Sequence, residues 1–405
     1  PPDSALSATS CKKLSLVSPS PFIMNTPNQL PFDPSSLTRR DAIKTLSAAG
    51  LLSMLGGSSL WGQQAYTGRR LGVALVGLGN YSTNHLAPAL QKTQIAELRG
   101  IVTGSPEKVP VWQDKYGIQD ENVYNYDNFD EIAKNPDIDV IYVVVPHGLH
   151  AEFTIRAANA GKHVICEKPM ASTVAEADAM LAAAKQNNVI LAIGYRLHHD
   201  PYHLRARELA RTEALGKLKS CVAEFSGRPN DERIRTHWHF KRDLGVAGAL
   251  YDLGVYAVQA QIYIAGQIPT QVTAQSFNTR PELFTECEET YEWQLEFPNR
   301  MNSEGAAGSS RSENSYHVVA ERGKFGIKKR AYAHNGQEGY INDQSMICIP
   351  VPQQAPHMDG ICQSILAGIP LRTPGAMGRR DLVVLQGILE SIDSGKTVDL
   401  TKRYL

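Results

Sequence analysis

From residue 71 onward, short apolar runs alternate with longer stretches of helical period. Residues 71–76 (LGVALV) are continuously apolar, as a strand covered on both faces must be. Residues 82–93 then read as a helix, 97–103 as a strand, 109–116 as a helix, 139–145 as a strand, 151–160 as a helix and 163–166 as a strand. Strands and helices in strict alternation predict a doubly wound α/β domain on a parallel sheet. The pattern changes past residue 194. Runs at 219–225, 271–277, 289–297 and 316–320 alternate polar with apolar residues, as an antiparallel sheet with one face in a core does. Between Met301 and Asn314 the residues are small and polar (NSEGAAGSSRSEN), which predicts strand edges and turns. Residues 358–367 and 381–394 read as closing helices.

Residues 1–65 follow neither period. They are rich in Ser and Pro, and Met24 is the expected start. Arg39-Arg40 precede a weakly apolar run, 45–61, diluted by Gly50, Gly56 and Gly57. An arginine pair ahead of so weak a run predicts a twin-arginine export signal and a periplasmic or otherwise exported protein, with no stable membrane anchor. No clean A-x-A cleavage site follows; the nearest segment is Gly62-Gln63-Gln64-Ala65.

Composition narrows the rest. At 405 residues the chain is long enough for two domains, here 66–193 and 194–405, behind the 1–65 extension. Lys+Arg and Asp+Glu balance at 41 each, which gives no electrostatic reason to expect nucleic acid. The six cysteines are scattered, without a CxxC pair or a Cys/His cluster at ligand spacing, so neither a structural metal nor a disulfide framework is expected.

The first strand runs into Gly77-Leu78-Gly79-Asn80-Tyr81-Ser82 and a helix. In that context the glycines make a tight turn and bring the backbone to a pyrophosphate at the helix N-terminus, the fingerprint of a dinucleotide-binding Rossmann fold. Ser82 stands where a third small Gly or Ala is usual. An NAD site places an acid at the end of the second strand. Here that position is Thr103, with Ser105 and Lys108 beside it, so a 2′-phosphate would meet hydroxyls and a cation; NADP is the expected cofactor, ahead of NAD.

Two segments carry candidate chemistry. Glu167-Lys168-Pro169 ends a strand, where parallel sheets bind their ligands. In GVAGALYDLGVY (245–256), Asp252 and Tyr256 are four apart and share a helix face. Oxidising a sugar hydroxyl needs a hydride acceptor and a base for the hydroxyl proton, and a tyrosine beside a lysine can serve.

The ordered set GLGNYS, Pro146-His147-Gly148-Leu149-His150, CEKPMA, Ile193-Gly194-Tyr195-Arg196 and YDLGVY resembles the Gfo/Idh/MocA oxidoreductase family, and within it the glucose-fructose oxidoreductase branch, over about residues 71–399. The resemblance implies a second domain of α+β class with a large open sheet, one face of which is commonly used for dimerisation, so a homo-oligomer through the C-terminal sheet is expected. It implies Lys168 near the nicotinamide and the reacting oxygen, Asp252 as sugar-binding acid and Tyr256 as proton-transferring residue. Pro146, His150, Glu167 and Arg196 join the glycine turn as cofactor-binding candidates. Arg196, His199, Asp200, Trp238 and Lys241 are candidates for the sugar pocket. The expected activity is NADP-dependent oxidation of an aldose at C1 to the lactone, with a second sugar reoxidising the same cofactor. The rivals are an NAD-dependent glycosidase of this fold and a catalytically silent sugar sensor. In the glucose-fructose enzyme an arm between signal and first strand wraps a neighbour; cleavage near Ala65 would leave about half a dozen residues for it.

Overall fold

The computed structural model describes residues 68–404. The export-signal expectation at Arg39 and Arg40 lies outside them.

β1 (Leu71–Val76) is buried along its whole length. It ends at Gly77, whose φ of +95° is left-handed backbone that suits glycine. The expected helix 82–93 is present to residue 90, with a widened turn at Ser82–Leu86 that runs into α1 at Ala87–Leu90. Pro88 explains the widening, because it has no N–H to return to the carbonyl of residue 84. β2 (Ala96–Val102) and α2 (Val109–Tyr116) follow close to their expected positions; β3 (Val123–Tyr124), a two-residue strand that the period did not predict, pairs with β2; β4 (Val140–Val143), α3 (His150–Asn159) and β5 (His163–Cys166) again fall close to theirs. α4 (Val174–Gln186) begins with a capping box: the Thr173 hydroxyl accepts from Glu176 N–H at 3.1 Å while the Glu176 carboxylate accepts from Thr173 N–H at 3.1 Å. β6 (Leu191–Ile193) completes a six-stranded parallel sheet of order β3-β2-β1-β4-β5-β6.

α5 (Pro201–Arg211) leads into the second sheet through β7 (Leu218–Ser226). Then come α6 (Asp231–Thr236), α7 (Arg242–Gly245), α8 (Val255–Ala265), β8 (Gln271–Phe277), β9 (Thr290–Glu296), β10 (Asn302–Gly308), β11 (Glu313–Ala320), β12 (Gly323–Lys329), β13 (Glu338–Ile341) and β14 (Gln344–Met346). With β15 (Val398–Asp399) these make nine strands in the order β14-β13-β12-β11-β7-β10-β9-β8-β15, antiparallel except for the β10–β7 pair.

Residues 302–308 correct the expectation of turns. They form β10, between β7 and β9 in the middle of the sheet, although NSEGAAG has almost no strand propensity. Packing decides it. A Cβ at Gly305 would lie 2.2 Å from Cε2 of Trp293, whose ring covers this strand and is pinned by Nε1–H donating to Gln261 Oε1 at 2.8 Å. Small residues are what let the tryptophan and α8 approach. Gly305→Ala is accordingly expected to cost about 2–3 kcal/mol of stability, seen as a lower urea midpoint at unchanged slope; a midpoint equal to that of the parent would show that Trp293 is free to move.

The last helices return to the first sheet. α9 (Gln354–Ala367) carries Asp359, whose carboxylate accepts from the N–H groups of Gln94, Ile95 and Ala96 at 2.8, 2.8 and 3.1 Å. α10 (Gly375–Ser394) packs on β6 and α4, its Gly375 and Gly378 leaving room for Leu181, Leu191 and Met170. The cleft lies at the carboxyl ends of β4 and β5, where open α/β sheets hold ligands.

Candidate active site

The glycine turn is closed by its own polar side chains. Ser82, fully buried, donates Oγ–H to the Gly77 carbonyl at 2.6 Å, so the departure from a third small residue serves to lock the turn. Thr83 donates both N–H (3.0 Å) and Oγ1–H (2.9 Å) to the Gly79 carbonyl. A Cβ on Gly77 would press to 2.9 Å from the Val144 carbonyl oxygen, whereas one on Gly79 would meet nothing within 4 Å among the described residues. The turn is therefore tight behind and bare in front, as a pyrophosphate cradle requires. Across from it, Lys108 Nζ donates to the Leu78 carbonyl at 3.1 Å, and the Thr103 hydroxyl accepts from Ser105 N–H at 3.0 Å. The three residues named for a 2′-phosphate thus stand together at the mouth of the turn. Asn80 is exposed there and accepts from Asn84 Nδ2–H at 2.7 Å.

Deeper in, a cleft of about 220 Å³ is lined by Tyr81, His147, Lys168, Trp238, His239, Asp252 and Tyr256 among others. Lys168 leaves β5 through a cis peptide to Pro169. Its ammonium donates to the Asp252 carbonyl at 2.9 Å and to Asp252 Oδ1 at 3.1 Å, and lies 4.7 Å from the centroid of the Tyr256 ring. Asp252 sits in a wide turn at Leu250–Gly254 and Tyr256 at the start of α8. Burial opposes charge on both members of the ion pair, and the partners win. Asp252 is pulled well below the usual carboxylate range by Lys168, His239 and His147, and Lys168 is held above its ordinary value by Tyr256, Asp252 and Glu167. Burial raises the Glu167 carboxyl, whose Oε1 accepts from the Tyr142 hydroxyl at 2.7 Å. Gly194 is obligatory beside it, since a Cβ would lie 2.4 Å from Glu167 Oε1.

Comparison with known proteins now applies. Residues 71–195 match the oxidoreductase family with an NAD-binding Rossmann fold, and residues 203–326 match the GFO/IDH/MocA C-terminal domain. The chain belongs to the GFO/IDH/MocA oxidoreductase family. Among solved structures, the aldose-aldose oxidoreductase of Caulobacter crescentus, in complex with glycerol, is 34% identical, with a TM-score of 0.79 over 82% of this chain and 100% of that one. The NADP(+) D-xylose 1-dehydrogenase of Haloarcula marismortui is 22% identical over 84% of this chain and 96% of its own length. Levoglucosan dehydrogenase of Pseudarthrobacter phenanthrenivorans is 29% identical over 45% of this chain and 44% of its own. A nicotinamide dinucleotide fits the residues present: a bare glycine turn faces Lys108, and Tyr81, just past that turn, shares a cleft with Lys168.

Within this family member, several residues named from sequence stand elsewhere than expected. Arg196, expected at the cofactor, is only 3% exposed and turns its donors to the carbonyls of Tyr332 (2.7 Å) and Ala333 (3.3 Å) and to Gln353 Oε1, behind Tyr256. His150 does line the cleft, as a buried tie whose ring nitrogens are 2.7 and 2.9 Å from the carbonyl oxygens of Pro169 and Val145. Pro146 precedes it in the turn from β4 to α3, and its carbonyl accepts from Leu149 N–H at 2.9 Å. His199 leaves the cleft to pack on His357 and Gly360, Asp200 caps α5, and Lys241 pairs with Glu286 at 3.0 Å. Trp238 does line the cleft. Sequence reasoning passed over Tyr142, His147 and His239. Of these only His147 carried a signal, its place just past a buried parallel strand.

Proposed function

We propose that this enzyme is an NADP-dependent aldose oxidoreductase that converts an aldose to its lactone at C1 and reduces a second sugar with the same bound cofactor. The observation that carries the reading is the Lys168–Asp252–Tyr256 set past the end of β5, in one cleft with Tyr81, the residue two past Gly79 of the glycine turn. When bound, the nicotinamide supplies the two-electron acceptor for the hydride leaving C1. Tyr256, as the phenolate beside the Lys168 ammonium, takes the hydroxyl proton and becomes the phenol; Lys168 stabilises the negative charge developing on the substrate oxygen, and Asp252 fixes the ammonium and accepts from the sugar. The names of the Caulobacter and Haloarcula relatives support an aldose as substrate and NADP as cofactor.

The test is to denature the purified protein, look for released NADP(H), and assay D-glucose and D-xylose with and without D-fructose. Absence of bound or bindable NADP(H), or of aldose oxidation, defeats the reading. Thr103→Asp is expected to weaken NADPH about tenfold to a hundredfold by setting a carboxylate against the 2′-phosphate while giving NADH a ribose partner. Fluorescence titration of both nucleotides measures it, and equal shifts for the two would remove Thr103 from the nucleotide's ribose.

Export by a twin-arginine route, supported by Arg39-Arg40, is part of the proposal and is checked by fractionating cells with an Arg39→Lys/Arg40→Lys variant. Association through the outer face of the nine-stranded sheet, where Val222, Phe277 and Val319 are exposed, is checked by sedimentation. No helix among the described residues is long and apolar enough to cross a membrane.

A further inference from the structure

On the side of Asp252 away from Lys168, two segments far apart in sequence meet. The turn after β4 reaches α7 because position 148 is glycine; a Cβ there would stand 2.2 Å from the Asp243 carbonyl oxygen. The loop ahead of α7 folds back because position 245 is glycine, where a Cβ would lie 2.1 Å from the His239 carbonyl oxygen. The rings of His147 and His239 consequently stack with centroids 5.7 Å apart, and Trp238 closes on them at 4.8 and 3.9 Å. His239 Nδ1 is 3.4 Å from Asp252 Oδ2, while Lys168 holds Oδ1. His147 Nδ1 is buried without a hydrogen-bond partner among the described residues, in a ring that lines the cleft.

A buried imidazole nitrogen left unpaired is costly, and in a substrate cleft it points to a group the ligand brings. We propose that His147, His239 and Asp252 form a hydroxyl-binding subsite for the carbon next to the one oxidised, which makes neutral vicinal diols the substrate class and His239 a specificity-determining residue. This rests on the aldose reading above. The carboxylate of Asp252 spans the two positions: Oδ1 faces the lysine at the reacting hydroxyl, Oδ2 the histidine at its neighbour. Burial keeps both rings neutral, His239 down to about 4 despite Asp252, and His147 well below its ordinary value. Each neutral ring offers one N–H and one lone pair, the complement of a hydroxyl. A phosphate or carboxylate at this position would be set against the Asp252 carboxylate, next to His239. The three residues also place one potential metal ligand each within 4.8 Å of one another. The ammonium of Lys168, bound to both the side chain and the carbonyl of Asp252, disfavours a dication there.

The experiment compares kcat/KM for D-glucose and 2-deoxy-D-glucose in the wild-type enzyme and in His239→Ala, His239→Gln and His147→Ala, with NADPH titration to show that each variant is folded. The wild type is expected to prefer glucose by about tenfold or more, the ratio for one lost hydrogen bond to a buried polar site. That preference is expected to collapse toward unity in both alanine variants and to return in part with His239→Gln. Equal losses on both sugars, or no preference in the wild type while glucose is oxidised, overturn the subsite alone. Zinc that co-purifies at one per chain, is removed by EDTA and is absent from His239→Ala overturns it in favour of a metal site. If the wild type binds NADPH but oxidises no aldose, the functional reading falls and the subsite with it.

Discussion

Replacing Lys168 by methionine is expected to lower kcat/KM for the aldose by about a thousandfold to ten-thousandfold while leaving a folded protein that still binds nucleotide at its glycine turn. The side chain keeps its length along the wall of the cleft, so packing survives and charge is lost. Two effects add. The cation that stabilises charge developing at the substrate oxygen disappears, and Asp252 loses the partner that holds it in place through two hydrogen bonds from one ammonium. The pH dependence follows from the directions of the shifts. Asp252, with a depressed pKa, contributes stability that is full above its unfolded value of about 3.9 and lost as pH falls. Lys168, with a raised pKa, contributes stability that is full below its unfolded value of about 10.4 and lost as pH rises. Lys168→Met deletes both, so its acid and alkaline unfolding limits draw inward together. Tyr256→Phe keeps the ring beneath Lys168 and removes only the hydroxyl. Its kcat is expected to fall about a hundredfold or more, with little change at the acid limit and the alkaline limit drawn inward, because Tyr256 is the first of the groups that hold Lys168 above its ordinary value. A Lys168→Met enzyme within tenfold of the parent would mean that the proton leaves by another path.

The cofactor domain was legible because both signals it carries are local. Buried parallel strands are continuous apolar runs, and the glycine turn is contiguous, so β1, α2 and β5 fall where the period puts them. What escaped depends on contacts made across the chain. β10 is a strand because Trp293 and α8 need its missing side chains, and nothing within residues 302–308 says so. His147 and His239 are 92 positions apart and meet only through the glycines at 148 and 245. His199 and Lys241 had the right chemistry in the right region, but their side chains are spoken for by His357 and Glu286. Residue type near a motif identifies the neighbourhood; the backbone decides which way a side chain faces.

Arg196 shows the same principle with the largest consequence for stability. A guanidinium after the last strand of a nucleotide-binding sheet invites assignment to a phosphate. Here it is buried, and its two terminal nitrogens donate to the Tyr332 and Ala333 carbonyls and to Gln353, whose Nε2–H in turn reaches Asp200 Oδ2 at 2.7 Å, while its Nε has no partner among the described residues. Asp200 caps α5 through the N–H groups of Tyr202 and His203 at 2.9 and 3.2 Å. One side chain therefore ties the strand end, the 332–333 loop and the approach to α9, and stands 5.6 Å behind the Tyr256 ring. Arg196→Met would leave buried carbonyls unpaired and remove the cation that this polar network is built around. The expected loss is about 3–5 kcal/mol, about 4–7 °C in Tm for a chain of this size. Arg196→Lys separates the two roles. An ammonium can serve a phosphate as a point charge but cannot reproduce a planar fork that reaches three acceptors. A buttress predicts that the lysine variant is nearly as unstable as methionine while its folded fraction binds NADPH with the parent's Kd. A phosphate ligand predicts the reverse: a stable lysine variant, and a methionine variant whose loss is read in the nucleotide Kd.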